Sequence, residues 1–149
     1  MALYHFSVSQ IKRSAGQSVL AAAAYRAGER LYSEYYDEIS DYTRKGGVLH
    51  TEILLPAHAP ERFRDRATLW NAVEAAERHP KAQLAYSFDI ALQNELSLDE
   101  NIELARAFVQ KEFVDRGMIA DLAIHSPDKI GVIPNPHMHV MTTMRPLNP

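Results

Sequence analysis

His137 and His139 stand one residue apart in Pro136-His137-Met138-His139-Val140-Met141-Thr142, a run whose Val, Met and Thr content reads as a β-strand. Strand side chains alternate faces with a period of two, so both imidazoles leave the same side of a sheet. His125, twelve residues before His137, closes a second strand-like run, Met118-Ile119-Ala120-Asp121-Leu122-Ala123-Ile124. If the two strands pair antiparallel through the Pro/Gly-rich loop 126–136, with Asn135-Pro136 setting the entry to the second, three imidazoles converge on one point. A lone histidine, or a single His-X-His, is more often structural than ligating; a third on a neighbouring strand shifts that balance. The chain has no cysteine, so any metal must be held by His, Asp, Glu or carbonyl groups. Three neutral imidazoles leave coordination positions open, as catalytic rather than structural sites do.

Two further side chains could take part. Asp89 lies in the alternating run Ala82–Leu92, where Tyr86, Phe88, Ile90 and Leu92 share one face and Ser87, Asp89 and Ala91 the other. An acid in mid-strand is either solvated or paired. Its functional readings are an acceptor that fixes a ligand histidine's tautomer or a general base beside a metal. Tyr25 sits in an alanine-rich segment, where a tyrosine is normally a packing residue, and Tyr32, Tyr35, Tyr36 and Tyr42 compete with it nearby. Arg26 and Arg30, four apart, would share one face of a continuous helix and could approach a phosphate.

The elements that must position these residues follow from periodicity and turn signals. The 149 residues suffice for one compact domain with a real core, and 46% hydrophobic with 23% charged residues is ordinary for a globular protein. Residues 2–9 read as a strand, and 17–32 as a helix whose Ala21–Ala24 permit close packing. Residues 33–47 are polar and tyrosine-rich, with Lys45-Gly46-Gly47 as a turn. Val48–Leu55 reads as a strand ended by Pro56. Pro60 marks the first turn of an amphipathic helix carrying Phe63, Ala67, Trp70 and Val73, which stops before Pro80. Ser97-Leu98-Asp99-Glu100 is a capping box ahead of the stripe Leu98, Ile102, Ala105, Val109 and Phe113, with Gly117 as C-terminal cap. The resulting order, β–α–β–α–β–α–β–β, points to an α+β sandwich: a mixed, largely antiparallel sheet with helices covering one face.

Charge limits the partners. A net charge of −3 argues against loose, counterion-driven binding to nucleic acid, yet the cations are clustered at Lys12-Arg13, Arg26 with Arg30, Arg44-Lys45, and Arg62, Arg64 and Arg66. Acids gather at 34–41 and 95–103. No apolar run approaches the ~18 residues of a transmembrane helix, and no signal-peptide core is present. A cytoplasmic location is the expectation.

These residues also match a family pattern. Ala2-Leu3-Tyr4-His5-Phe6-Ser7, Arg13-Ser14-Ala15-Gly16-Gln17-Ser18 and Ala23-Ala24-Tyr25-Arg26-Ala27-Gly28 resemble the opening motif of the MobA/MobL mobilisation relaxases, DNA-nicking proteins of the HUH endonuclease superfamily. Asp41-Tyr42-Thr43-Arg44-Lys45-Gly46-Gly47-Val48-Leu49-His50-Thr51-Glu52 is similar to the stretch that follows. Ser87–Leu92 resembles the central strand with its acidic residue, and Ala123-Ile124-His125 with Asn135-Pro136-His137-Met138-His139 resembles the metal motifs. The order of motifs is the family's, across nearly the whole chain. Asp89 stands where relatives often carry Glu, and Gln93 where many have Pro.

The resemblance implies one relaxase domain over 1–149, with Tyr25 as nucleophile, Asp89 close to the reaction, and His125, His137 and His139 as metal ligands. It implies Mg²⁺ or Mn²⁺. Three imidazoles suit Mn²⁺ or Zn²⁺ better than hard Mg²⁺, so Mn²⁺ is expected to bind more tightly while Mg²⁺ also supports activity. The implied activity is site- and strand-specific nicking of single-stranded DNA at an origin of transfer through a 5′-phosphotyrosine, with relaxosome proteins as partners. Arg13, Arg26, Arg30, Arg44 and Lys45 are the expected DNA contacts. Relatives usually continue past the last strand, so the chain reads as a fragment or a minimal relaxase. Two rivals stay open at this point: a three-His zinc hydrolase of a small substrate, in which Tyr25 has no role, and a non-catalytic origin-binding remnant.

Overall fold

The computed structural model describes residues 6–126 and 136–144. The start of the expected first strand (2–5), the body of the loop before the histidine pair (127–135, with Asn135) and the tail 145–149 lie outside them.

Strand β1 spans Phe6–Lys12. Helix α1 spans Val19–Ala27 and starts at Ser18, whose hydroxyl accepts from the amides of Leu20 and Ala21. The helix stops at Gly28, not near residue 32: Gly28 takes φ +68°, and its N–H closes on the Ala24 carbonyl. A left-handed glycine just past a helix is a strong stop signal. The chain then forms an antiparallel hairpin, β2 (Arg30–Ser33) with β3 (Glu38–Asp41), inside the stretch expected to be helix end and polar turn. Leu31 and Ser33 point inward from it while Arg30 and Tyr32 face out.

Strand β4 spans Val48–Leu54. Pro60 opens a short 3-10 turn, Glu61–Arg64, and Asp65 caps the true helix α2, Arg66–Ala76, by accepting from the Thr68 amide. Strand β5 is Gln83–Ala91. Helix α3, Leu98–Glu112, begins at the expected capping box, with both Ser97 and Glu100 making their reciprocal bonds. Gly117 caps a 3-10 turn, Val114–Arg116, that follows α3. Strands β6 (Ala120–His125) and β7 (His137–Thr142) complete the order.

The five long strands form one sheet in the order β1-β5-β7-β6-β4, and every neighbouring pair is antiparallel. Helices cover both faces, where the sequence suggested one. On one side α1 and α2 bury Leu20, Ala24, Leu69 and Trp70 against Ile11, Ile53 and Met141. On the other, α3 buries Ala105 and Val109 against Ile90, Leu122, Ile124, Met138 and Val140. The clue was in β6, all six of whose residues are buried. A strand covered on both faces reads as a near-continuous apolar run, so alternation alone could not count the layers.

Candidate metal centre and tyrosine site

The centre lies on the α1/α2 side of the sheet. His125 pairs directly with His137, and His139 lies between Ala123 on one neighbour and Asp89 on the other. The period of two therefore puts His125, His137, His139 and Asp89 on one face, as their spacing required. Ring centroids are 5.3 Å apart for His125 and His137, 4.5 Å for His125 and His139, and 4.9 Å for His137 and His139. One nitrogen from each lies within 4.8 Å of the other two. Nitrogens about 2.1 Å from one tetrahedral ion stand about 3.4 Å apart, so small ring rotations would close the set on a cation.

The tautomer of His125 is set by α1. A helix leaves its last carbonyls without intrahelical donors. Nε2 of His125 lies 2.7 Å from the Arg26 carbonyl, which can only accept. That nitrogen therefore carries the proton, and Nδ1 keeps its lone pair. Burial lowers the pKa of His125, only partly opposed by the bond to Arg26. Burial, then the neighbouring His125 and His137 and the charges of Arg26 and Lys45, push His139 down to about 2. Both rings are thus neutral near pH 7, the form that coordinates metal. The donor set, three nitrogens with no thiolate, fits Mn²⁺ or Zn²⁺ and tolerates Mg²⁺ less well.

Asp89 is 35% exposed, and its Oδ1 lies 3.8 Å from Nδ1 of His139. That is too long for a hydrogen bond but close enough for direct electrostatic influence. Arg26 descends from α1 onto the same face. It donates to Ser87 Oγ (2.9 Å) and to the Ala22 carbonyl (3.1 Å), and its buried Nε has no hydrogen-bond partner among the described residues. Burial lowers its pKa, against the pull of Asp89.

Tyr25 precedes Arg26 on α1, with its side chain 48% exposed. The Tyr42 ring meets it edge-on, with centroids 5.2 Å apart at 87°. The Lys45 ammonium stands 3.5 Å from the Tyr25 ring centroid and donates to the Tyr25 carbonyl at 2.8 Å. Burial, then the charge of Arg26, lowers the pKa of Lys45.

The other expected DNA contacts separate. Arg13 is 7% exposed and donates to the carbonyls of Glu74 and Glu77 at the end of α2, with its guanidinium 3.7 Å from the Tyr35 ring centroid. It is a buried helix cap, not a free cation. Arg30 does not share a helix face with Arg26, because it lies on β2 opposite Asp41. Arg44 is exposed beside Lys45. Of the Arg62, Arg64 and Arg66 cluster, Arg66 is buried in a fork on Asp121.

Sequence reasoning missed Ser87 as the anchor of Arg26, although it shares the strand face of Asp89. It also missed the Tyr42–Gly47 turn as a neighbour of the tyrosine; the only signal was the pair Gly46-Gly47. No pattern linked Asp121 to Arg66 and Trp70.

Comparison with known proteins places the fold in a family. Residues 17–149 match the model of the MobA/MobL family. The chain is 44% identical over 158 residues to the conjugal transfer protein TraA of Rhizobium radiobacter, covering 99% of this chain and 14% of that protein. It is 44% identical over 128 residues to the mobilization protein MobL of Acidithiobacillus ferridurans, covering 85% of this chain and 33% of that one. A solved structure described as the molecular basis of vancomycin resistance transfer in Staphylococcus aureus matches with a TM-score of 0.89 at 36% identity, over 99% of this chain and 73% of that one. The chain thus spans about 14% of the length of the TraA proteins it resembles. Among the described residues, no helix is long and apolar enough to cross a membrane.

Proposed function

The chain belongs to the MobA/MobL family, and from that membership we propose that it nicks one strand of DNA at an origin of transfer by tyrosine transesterification. The observation that carries the reading is the convergence of His125, His137 and His139 on the sheet face beneath the helix that bears Tyr25. His125, His137 and His139 would hold a divalent cation, which when bound offsets charge on the non-bridging oxygens of the scissile phosphate.

The remaining chemistry falls to the protein. The Tyr25 oxygen attacks phosphorus, the bond to the 3′ oxygen breaks, and a 5′-phosphotyrosine forms. The phenolic proton must leave and the departing 3′ oxygen must gain one. Asp89, beside His139, is assigned as the acceptor of the first, and solvent supplies the second. The guanidinium of Arg26, held by Ser87 beside Asp89, contributes positive charge for the phosphate. The exposed Arg44 adds charge along the approach, with Arg30 further out on the hairpin, while the Lys45 ammonium is engaged by the Tyr25 carbonyl and ring; Arg13, buried at the end of α2, drops out of the DNA-contacting set. One phosphodiester replaces another, so the free 3′-OH can reverse the step and reseal the strand, as transfer of a mobile element requires. Mn²⁺ is expected to bind more tightly than Mg²⁺, with both supporting the reaction. Relaxosome proteins are the expected partners.

The test uses labelled single-stranded oligonucleotides tiling the origin of transfer, with Mn²⁺ or with EDTA, resolved on denaturing gels. A metal-dependent covalent protein–DNA band that vanishes in Tyr25→Phe is the expected result. An adduct that persists in Tyr25→Phe, or cleavage without adduct, overturns the assignment. A zinc hydrolase would retain turnover in Tyr25→Phe, and a binding remnant would not nick at all.

A further inference from the structure

The left-handed stop at Gly28 leaves the last carbonyls of α1 without helical partners, and two neighbouring ones are taken by groups of the site. His125 donates to the Arg26 carbonyl, and Lys45 Nζ donates to the Tyr25 carbonyl at 2.8 Å. The same ammonium lies 3.5 Å from the centroid of the Tyr25 ring, within cation–π range. Tyr42 closes on the ring edge-to-face at 5.2 Å, a favoured aromatic geometry. A side chain that is 48% exposed would otherwise be free to change rotamer.

The turn carrying Lys45 and Tyr42 is itself tied at both ends. The Tyr42 amide donates to the Glu29 carbonyl, and the Lys45 amide closes the turn on the Tyr42 carbonyl. A Cβ on Gly28 would meet Val48 Cγ2 at 3.3 Å and the carbonyls of Tyr42 and Lys45 at 3.8 and 4.0 Å, so the turn packs directly on the end of α1. At its other end the Gly47 carbonyl accepts from Ser126, the residue after His125. The turn thus joins the helix of the tyrosine to the strand of a histidine.

We propose that Lys45 is a positioning residue: with Tyr42 it holds the Tyr25 ring in one orientation relative to the histidines before DNA binds. This rests on Tyr25 being the nucleophile. It assigns Lys45 a role distinct from the phosphate contact that its charge alone would suggest. Pre-set orientation raises the rate of the covalent step at saturating substrate, because small misplacements of a reacting atom are costly. A phosphate contact instead raises affinity and steepens its dependence on salt.

The experiment measures single-turnover adduct formation at saturating DNA and, separately, DNA affinity at several salt concentrations, in the wild type, Lys45→Met, Lys45→Arg and Tyr42→Leu. Lys45→Met is expected to slow adduct formation by about 10–100-fold, with Kd within about 3-fold and the salt slope unchanged. Lys45→Arg, which keeps a cation for both the carbonyl and the ring, should recover most of the rate. Tyr42→Leu should slow the reaction in the same way. A rate at saturation unchanged in Lys45→Met, with weaker binding and a salt slope reduced by about one, overturns the proposal in favour of a DNA contact. NMR of ring-labelled tyrosine, with the Tyr25 signal identified by its loss in Tyr25→Phe, gives a readout independent of DNA. That signal should move in Lys45→Met, and an unmoved signal overturns the clamp. An adduct persisting in Tyr25→Phe would remove the nucleophile reading, and the NMR result would still decide whether Lys45 holds the ring.

Discussion

Asp121→Asn would remove one negative charge from a largely buried network on the same strand as His125 while keeping the side chain's volume. Asp121 accepts from Arg66 Nε at 2.7 Å, Arg66 Nη2 at 2.8 Å and Trp70 Nε1 at 2.9 Å. Glu29 takes a fourth bond, at 2.9 Å from Arg66 Nη1. Burial by itself would lower the pKa of Arg66, but Asp121 and Glu29 together hold it above its ordinary range. Arg66 and Asp121 are 8% and 6% exposed and Trp70 is fully buried, so water cannot replace a lost partner. Removing one member of a buried pair costs about 3–5 kcal/mol. Glu29 is 42% exposed and keeps one bond to the guanidinium, which argues for the lower end, about 3 kcal/mol. Against a total of about 5–15 kcal/mol, that is a large fraction. Urea unfolding of metal-free protein, with m-values compared, measures it. The double variant Arg66→Met with Asp121→Leu leaves no buried charge unpaired, since Glu29 is partly exposed to solvent, but it orphans the buried Trp70 N–H and so should recover only part of the loss. A loss below about 1 kcal/mol in Asp121→Asn with unchanged m would refute the reasoning.

Acidification should destabilise the metal-free protein. The folded-state pKa of His139 is about 2 while an unfolded histidine titrates near 6.5, so below pH 6.5 the unfolded chain binds the extra proton. His139 alone then removes about 2 kcal/mol between pH 7 and pH 5, and His125 acts in the same direction. Urea midpoints at pH 7, 6 and 5 should fall accordingly and flatten in His139→Gln; pH-independent midpoints would contradict the buried neutral imidazole. Mn²⁺ at 100 times its Kd should stabilise the fold by about 2.7 kcal/mol, a rise in Tm of about 5–10 °C that EDTA reverses and His137→Ala abolishes. Equal shifts in wild type and His137→Ala would place the bound metal elsewhere. Gly47→Ala should cost at least about 1–2 kcal/mol, because residue 47 holds φ +83° and a Cβ would come within 2.9 Å of Ser126 Oγ. Ser126→Ala should relieve only the steric part, and thermal melts of both variants and the double variant separate the two terms.

Local chemistry set much of the architecture in readable form. The capping box at Ser97–Glu100 formed as the sequence required, since its bonds lie within one helical turn. The period of two placed His137 and His139 on one face, and a single antiparallel register brought His125 opposite His137. Features that depend on left-handed backbone were less legible. Gly28 could have been one more small residue in an alanine-rich helix, and only its φ of +68° shows it ending α1 and moving Arg30 to a hairpin.

Residue types and spacing by themselves determined that three imidazoles could gather at one point, because strand alternation is a local rule. They also supplied an acid in mid-strand and a tyrosine on a helix. Tertiary structure alone decided which cations belong to the site, because a positive charge carries no address in the sequence. Folding took Arg13 into a helix cap and Arg66 into a fork on Asp121, set the Arg26 guanidinium on Ser87 of β5, and brought Lys45 to the carbonyl end of α1. It likewise linked the helix of Tyr25 to the strand of His125 through the Tyr42–Gly47 turn, whose anchors, Glu29 just past α1 and Ser126 just past β6, lie nearly a hundred residues apart.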